Sequence, residues 1–215
     1  MTKKEEWLAG TRSAVPIMLG YVPVGIAYGV MARQAGLNTW QTVLMSLTVY
    51  GGASEMMAAG MVAQGAAVLT IVLTTFILNL RHIIMSTCVF NQMQGGRLPV
   101  RMLAAFGVTD ETFAVYTTTA NAPRTPRYFF SMALCSYLSW ALGSWLGAIA
   151  TGLLPPLITA ALGISLYAMF IGLLMPGLHG NGRLAALVVL TALCNTVLCN
   201  VVQLDSGWSM ILSTL

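Results

Sequence analysis

Adjacent carboxylates, Asp110 and Glu111, stand at the centre of the apolar stretch 102–118, MLAAFGVTDETFAVYTT. Ionisable groups at bilayer depth are costly, and they face a bundle interior or water, where they serve ion or substrate traffic. Successive helical residues are about 100° apart, so one carboxylate can meet a partner while the other faces a cavity. A carboxyl so placed can load and release a proton, and either Asp110 or Glu111 is a candidate proton-coupling group. A structural reading stands beside this one. Thr109-Asp110 can cap a half-helix beginning there, with Glu111 in a first turn that favours negative charge.

A third carboxylate, Glu55, sits in Tyr50-Gly-Gly-Ala-Ser54-Glu55. If this stretch is helical, Gly51, Gly52, Ala58 and Ala59 surround Glu55 on one face. Small residues permit close backbone approach, and the glycine pair also permits unwinding. Glu55 there is either paired with a cation or protonated. Further on, Asn79, His82 and Ser86 share a helical face, whereas Arg81 points away from them. Arg81 and His82 therefore share one cavity only if the helix breaks. His82 suits proton relay, or is a hydrogen-bonded core residue. Arg81 needs a carboxylate, because an unpaired guanidinium in hydrocarbon is expensive. Its candidates are Glu55, Asp110 and Glu111.

The first apolar run contains Pro16, Gly20, Tyr21, Pro23 and Gly25. Pro23 removes a backbone donor and clashes with the Leu19 carbonyl, so the helix is expected to kink or open near mid-membrane. Backbone groups freed at Gly20–Gly25 would then touch a zwitterion, as in discontinuous transporter helices. Helix packing through glycine is the alternative.

These residues need elements to hold them, and composition says which. Of 215 residues, 57% are hydrophobic and 7% charged, with a mean hydropathy of +0.79. So few charges cannot cover a soluble surface. The chain is therefore an all-α, polytopic membrane protein, a single transmembrane domain over 1–215. Spans are expected at 14–32, 41–63, 66–90, 102–118, 128–153, 156–175 and 184–202, a bundle of about seven helices. Some are broken or half-length, the fourth above all. The N-terminal run is too long for a signal-peptide core and reads as a retained helix.

If the fourth segment crosses, Lys3, Lys4, Arg12, Arg124, Arg127 and Arg183 fall on one side and Arg33, Arg97 and Arg101 on the other. That asymmetry puts the N-terminus in the cytoplasm. Scattered cations argue against a nucleic-acid surface. Cys88, Cys135, Cys194 and Cys199 form no CxxC pair and read as small apolar residues. Tyr21, Gly36 and Leu37 recur at the same spacing as Tyr137, Gly152 and Leu153, a faint internal repeat. Residues 206–215 read as the start of a further, truncated helix or as an interfacial tail.

The same stretches resemble the AzlC (YgaZ-type) family, the larger subunits of bacterial branched-chain amino-acid exporters. The likeness lies in Pro16…Gly20-Tyr21-x-Pro23-x-Gly25, Tyr50-Gly-Gly-Ala-Ser54, Asn79-x-Arg81-His82 and Phe106-Gly-Val-Thr-Asp110-Glu111-x-Phe113-Ala. It covers the first half in order. It implies export of hydrophobic amino acids across the bacterial inner membrane, driven by protons, with a small AzlD-type membrane subunit. Where the family commonly has Gln after Gly-Ala-Ser, this chain has Glu55, which bears on substrate preference or proton stoichiometry. The family also usually continues into a last helix where this chain stops.

On this reading the amino acid binds among Gly20, Tyr21, Pro23, Gly25, Tyr50, Ser54, Glu55 and Asn79. Asp110, Glu111 and His82 handle the proton, and Arg81 is the counter-charge. No cofactor, metal set, Walker motif, Ser/His/Asp set or selectivity filter is legible. The competing reading is a non-transporting scaffold or sensor subunit of a membrane complex.

Overall fold

The computed structural model describes residues 2–119, 122–153 and 182–201, with scattered positions between 155 and 180 and at 212–213. Among the described residues the secondary structure is helical. The helices are α1 (Lys3–Gln34), α2 (Thr39–Val49), α3 (Gly52–Ala63), α4 (Val68–Gln92), α5 (Leu98–Phe106), α6 (Asp110–Thr118), α7 (Pro126–Ala150) and α8 (Gly182–Asn200). Four of these, α1, α4, α7 and α8, are long and apolar enough to cross a membrane. The chain is thus a multi-pass, all-helical membrane protein.

Two expected spans are not single helices. The stretch 41–63 divides into α2 and α3 because Tyr50 closes α2 in the left-handed conformation, φ 47°. Left-handed backbone costs a non-glycine residue about 1–2 kcal/mol, so surrounding contacts must hold Tyr50 there. The stretch 102–118 divides into α5 and α6 at Gly107–Thr109. The expected span 156–175 and the tail 206–215 lie largely outside the described residues, and nothing in the fold adds to the three matches of the internal repeat.

The first helix also differs from expectation. It neither opens nor ends at Pro23, and runs through both Pro16 and Pro23 from a Thr2/Glu5 capping box. A missing helical hydrogen bond is tolerated where a neighbouring helix supports the backbone, and here α7 does. Gly25 and Gly29 of α1 meet Gly143 and Gly147 of α7. A Cβ on Gly25 would lie 2.9 Å from the Trp140 carbonyl oxygen, and one on Gly143 would lie 2.7 Å from that of Val22. This paired small-residue seam lets the two backbones touch.

The core grows from that seam. Tyr21, Val24, Ala27 and Tyr28 of α1 are buried with Phe129, Met132, Ala133 and Trp140 of α7. Hydroxyls tie α2 to it: Ser46 to Ser144 at 2.9 Å, Tyr28 to the Thr42 carbonyl at 3.1 Å, and Tyr137 to the Leu47 carbonyl at 2.7 Å. In contrast, Val72, Phe76, Ile83 and Ile84 of α4 face outward, as apolar side chains do toward lipid.

Candidate functional site

Both chain breaks open onto one place. A small cavity is lined by Tyr21 of α1, Tyr50, Gly51, Gly52 and Ala53 at the α2–α3 break, Arg81 and His82 of α4, Thr109, Asp110 and Glu111 at the start of α6, and Trp140 of α7. Its volume is about 20 Å³, enough for one water molecule and too little for an amino acid. The site is closed in this conformation.

On the α6 wall, Thr109 caps the half-helix by accepting from the Thr112 N–H at 3.3 Å, and the Thr112 hydroxyl returns to the Thr109 N–H at 2.8 Å. Asp110 and Glu111 therefore occupy the first turn, where the helix dipole favours them. They part as neighbouring residues must. Asp110 meets Arg81, Nη2 to Oδ2 at 3.0 Å. Glu111 turns inward, 9% exposed, and accepts the Tyr21 hydroxyl at 2.5 Å. With Tyr21 donating to Glu111, the Tyr21 oxygen accepts from Thr109 at 2.7 Å. Glu111, Tyr21 and Thr109 form a short hydrogen-bonded chain at the base of the cavity. The Arg81–Asp110 bridge, 41% and 27% exposed, forms its mouth.

Behind the opposite wall lies Glu55, with no exposed surface. Its Oε1 accepts the Gly51 N–H at 2.9 Å and its Oε2 accepts the Trp140 indole N–H at 3.2 Å. No cation approaches it among the described residues; the partner is an indole and a backbone amide. Ser54 donates back to the Gly51 carbonyl at 2.7 Å. Around these groups the Trp140 ring stacks on Tyr28 and lies edge-on to Tyr21, while Tyr50 lies edge-on to Tyr21 and Tyr137.

The structure brings together Tyr21, Tyr50, Arg81, His82, Asp110 and Glu111. Arg81 and His82 share the cavity although α4 is unbroken between them, contrary to the helical-wheel expectation. A guanidinium on a long stem reaches round the helix, which a wheel of Cα positions ignores. Ser54, Glu55 and Asn79 stand one layer behind the lining, and a Cβ on Gly51 would lie 3.2 Å from the Asn79 Oδ1. Gly20, Pro23 and Gly25 do not line the cavity at all, because α1 stays helical and Gly25 is closed off by α7.

Two contacts of consequence are not evident from the sequence. Trp140 holds Glu55, and Thr109, which caps α6 as expected, also holds Tyr21. The sequence signal for Trp140 is its place among Ser136, Gly143, Ser144 and Gly147, a small-residue face at helical spacing that marks close packing.

A hydrogen-bonded carboxylate, an ion pair and two interrupted helices enclosed by apolar helices define a polytopic membrane protein with a polar internal site. Residues 16–154 match the family model described as AzlC protein, and the chain belongs to the AzlC family. It is 33% identical over 188 residues to an uncharacterized membrane protein of Archaeoglobus fulgidus, covering 86% of this chain and 82% of that one. It is 30% identical to the inner membrane protein YgaZ of Escherichia coli, covering 79% and 72%. With the branched-chain amino acid transport protein AzlC of Bacillus subtilis it shares 27% identity, covering 69% and 61%. No solved structure matches.

Proposed function

We propose that this chain is a secondary transporter that exports branched-chain or similar hydrophobic amino acids, coupled to protons. It works in a bacterial inner membrane with its N-terminus in the cytoplasm, together with a small AzlD-type membrane subunit. One observation carries the reading. The polar cavity is enclosed where two interrupted helices begin, as transporter sites are, and it contains one paired and one inward-turned carboxylate. The name of the Bacillus relative supports the substrate class.

In this mechanism Glu111 carries the proton, and Tyr21 and Thr109 hold its carboxyl in place. Asp110 and Arg81 neutralise one another at the mouth until substrate separates them. His82 beside the bridge relays the proton outward. Aromatic walls at Tyr50 and Trp140 receive the apolar side chain. The site opens and closes by movement of the short helices against the α1–α7 seam.

Counterflow of labelled leucine, valine and methionine in proteoliposomes tests this, with and without the small subunit, under imposed pH gradients. Uptake that follows the gradient is the expected result. An intact, correctly inserted protein that moves none of the three with its partner present overturns it in favour of the scaffold or sensor reading.

A further inference from the structure

Two helices begin at the cavity, and they begin differently. The α6 start is closed by the Thr109/Thr112 capping box and carries Asp110 and Glu111 in its first turn. The α3 start has Gly51 at its cap and no side chain accepting from its first amides. The first N–H groups of a helix have no partner within it, and Gly52 and Ala53 border the cavity. Glu55 does not cap these amides, because its two oxygens are engaged by the Gly51 N–H and the Trp140 indole. That arrangement leaves the amides of Gly52 and Ala53.

A second observation points at the same spot. Tyr50, 3% exposed, lines the cavity, yet its buried hydroxyl finds no partner of hydrogen-bonding geometry. Arg81, also in the lining, has a buried Nε–H without a partner, although its Nη2 holds Asp110. Backbone amides, a phenol and a guanidinium are all donors. Such a set fits an anion, and helix N-termini are ready anion sites.

We infer that the N-terminus of α3, completed by the Tyr50 hydroxyl and Arg81 Nε, is the subsite for a carboxylate. If the chain transports amino acids as proposed, this is the substrate's α-carboxylate. Its ammonium then faces Asp110 and Glu111 on the α6 wall. The inference rests on the transport reading for the identity of the ligand alone. Entry requires the Arg81–Asp110 bridge to part, since the closed cavity holds only a water.

Three probes of one shape separate the possibilities: L-leucine, 4-methylpentanoate, which lacks the ammonium, and leucinol, which lacks the carboxylate. Affinities are measured by titration calorimetry on the full chain in detergent, for wild type, Tyr50→Phe and Ala53→Pro. Proline is tolerated in a first helical turn because the amide it removes has no helical partner, so Ala53→Pro deletes one donor. If that variant does not fold, Tyr50→Phe alone decides.

The expected result is that leucine and 4-methylpentanoate bind wild type, leucinol binds much more weakly, and each substitution weakens both carboxylates about tenfold. Leucinol binding as tightly as leucine would overturn the subsite. So would carboxylate affinities unchanged in Tyr50→Phe, or no binding of either carboxylate to wild type. If 4-methylpentanoate binds with that sensitivity and leucine does not, the carboxylate subsite stands and the amino-acid reading falls.

Discussion

At the scale of the residue, two adjacent carboxylates have different duties. Asp110 is paired to Arg81 at the mouth, and Glu111 is bonded to Tyr21 within. Asp110→Asn leaves the guanidinium without its counter-charge and is expected to abolish counterflow while leaving membrane insertion intact. The exchanged pair Arg81→Asp with Asp110→Arg is expected to recover part of the activity that either change alone removes. Full activity in Asp110→Asn would sink the bridge's part in the mechanism. Tyr21→Phe deprives Glu111 of its donor. A buried acceptor left unsatisfied costs about 1–3 kcal/mol, so a lower melting temperature and slower counterflow should appear together. Tyr137→Phe, which removes only the bond to the Leu47 carbonyl outside the cavity, should instead lower the melting temperature without slowing counterflow.

The charges themselves were legible from sequence, because ionisable residues in so apolar a chain are conspicuous. Arg81's need for a carboxylate was legible too. Which of the three it takes was not, since Glu55 lies on α3 and Asp110 and Glu111 on α6, and nothing local fixes how those helices dock on α4. Glu55 illustrates the limit: its partner is Trp140, eighty-five positions away.

At the scale of the element, local chemistry forecast the α6 start but misjudged α1. Thr109 with Asp110 and Glu111 is a cap signal complete within a few residues, and the helix begins there. Pro23 is an equally local signal, yet its effect is decided by α7, whose glycines support the backbone. The seam gives a direct test. Gly143→Val or Gly25→Val overpacks it, and such changes cost about 1–3 kcal/mol or more, to be read as a lowered melting temperature. Gly60→Val, where a Cβ would meet nothing within 4 Å among the described residues, should melt near wild type. Thr109→Ala removes the α6 cap, worth about 1 kcal/mol, and also frees Tyr21 from one of its two bonds. Its loss of transport should therefore exceed what its loss of stability predicts.

At the scale of the whole molecule, class and membrane character were plain from composition, and the number of crossings was not. Apolar length cannot distinguish one span from two half-helices, because the break at Tyr50 depends on a left-handed residue held by packing. The arrangement joins a fixed pair, α1 and α7, to short helices that start at a closed cavity.

That division has a consequence for how backbone amides meet solvent. Where two helices touch backbone to backbone, opening requires the whole interface to separate, so hydrogen–deuterium exchange in α1 and α7 near Gly25 and Gly143 should be among the slowest in the chain. Amides at residues 50–53 and 107–109 lie at the two breaks, outside the continuous helical ladders, and should exchange early. A protein that alternates its access around a fixed axis would keep that contrast in every state, with ligand slowing only the two breaks.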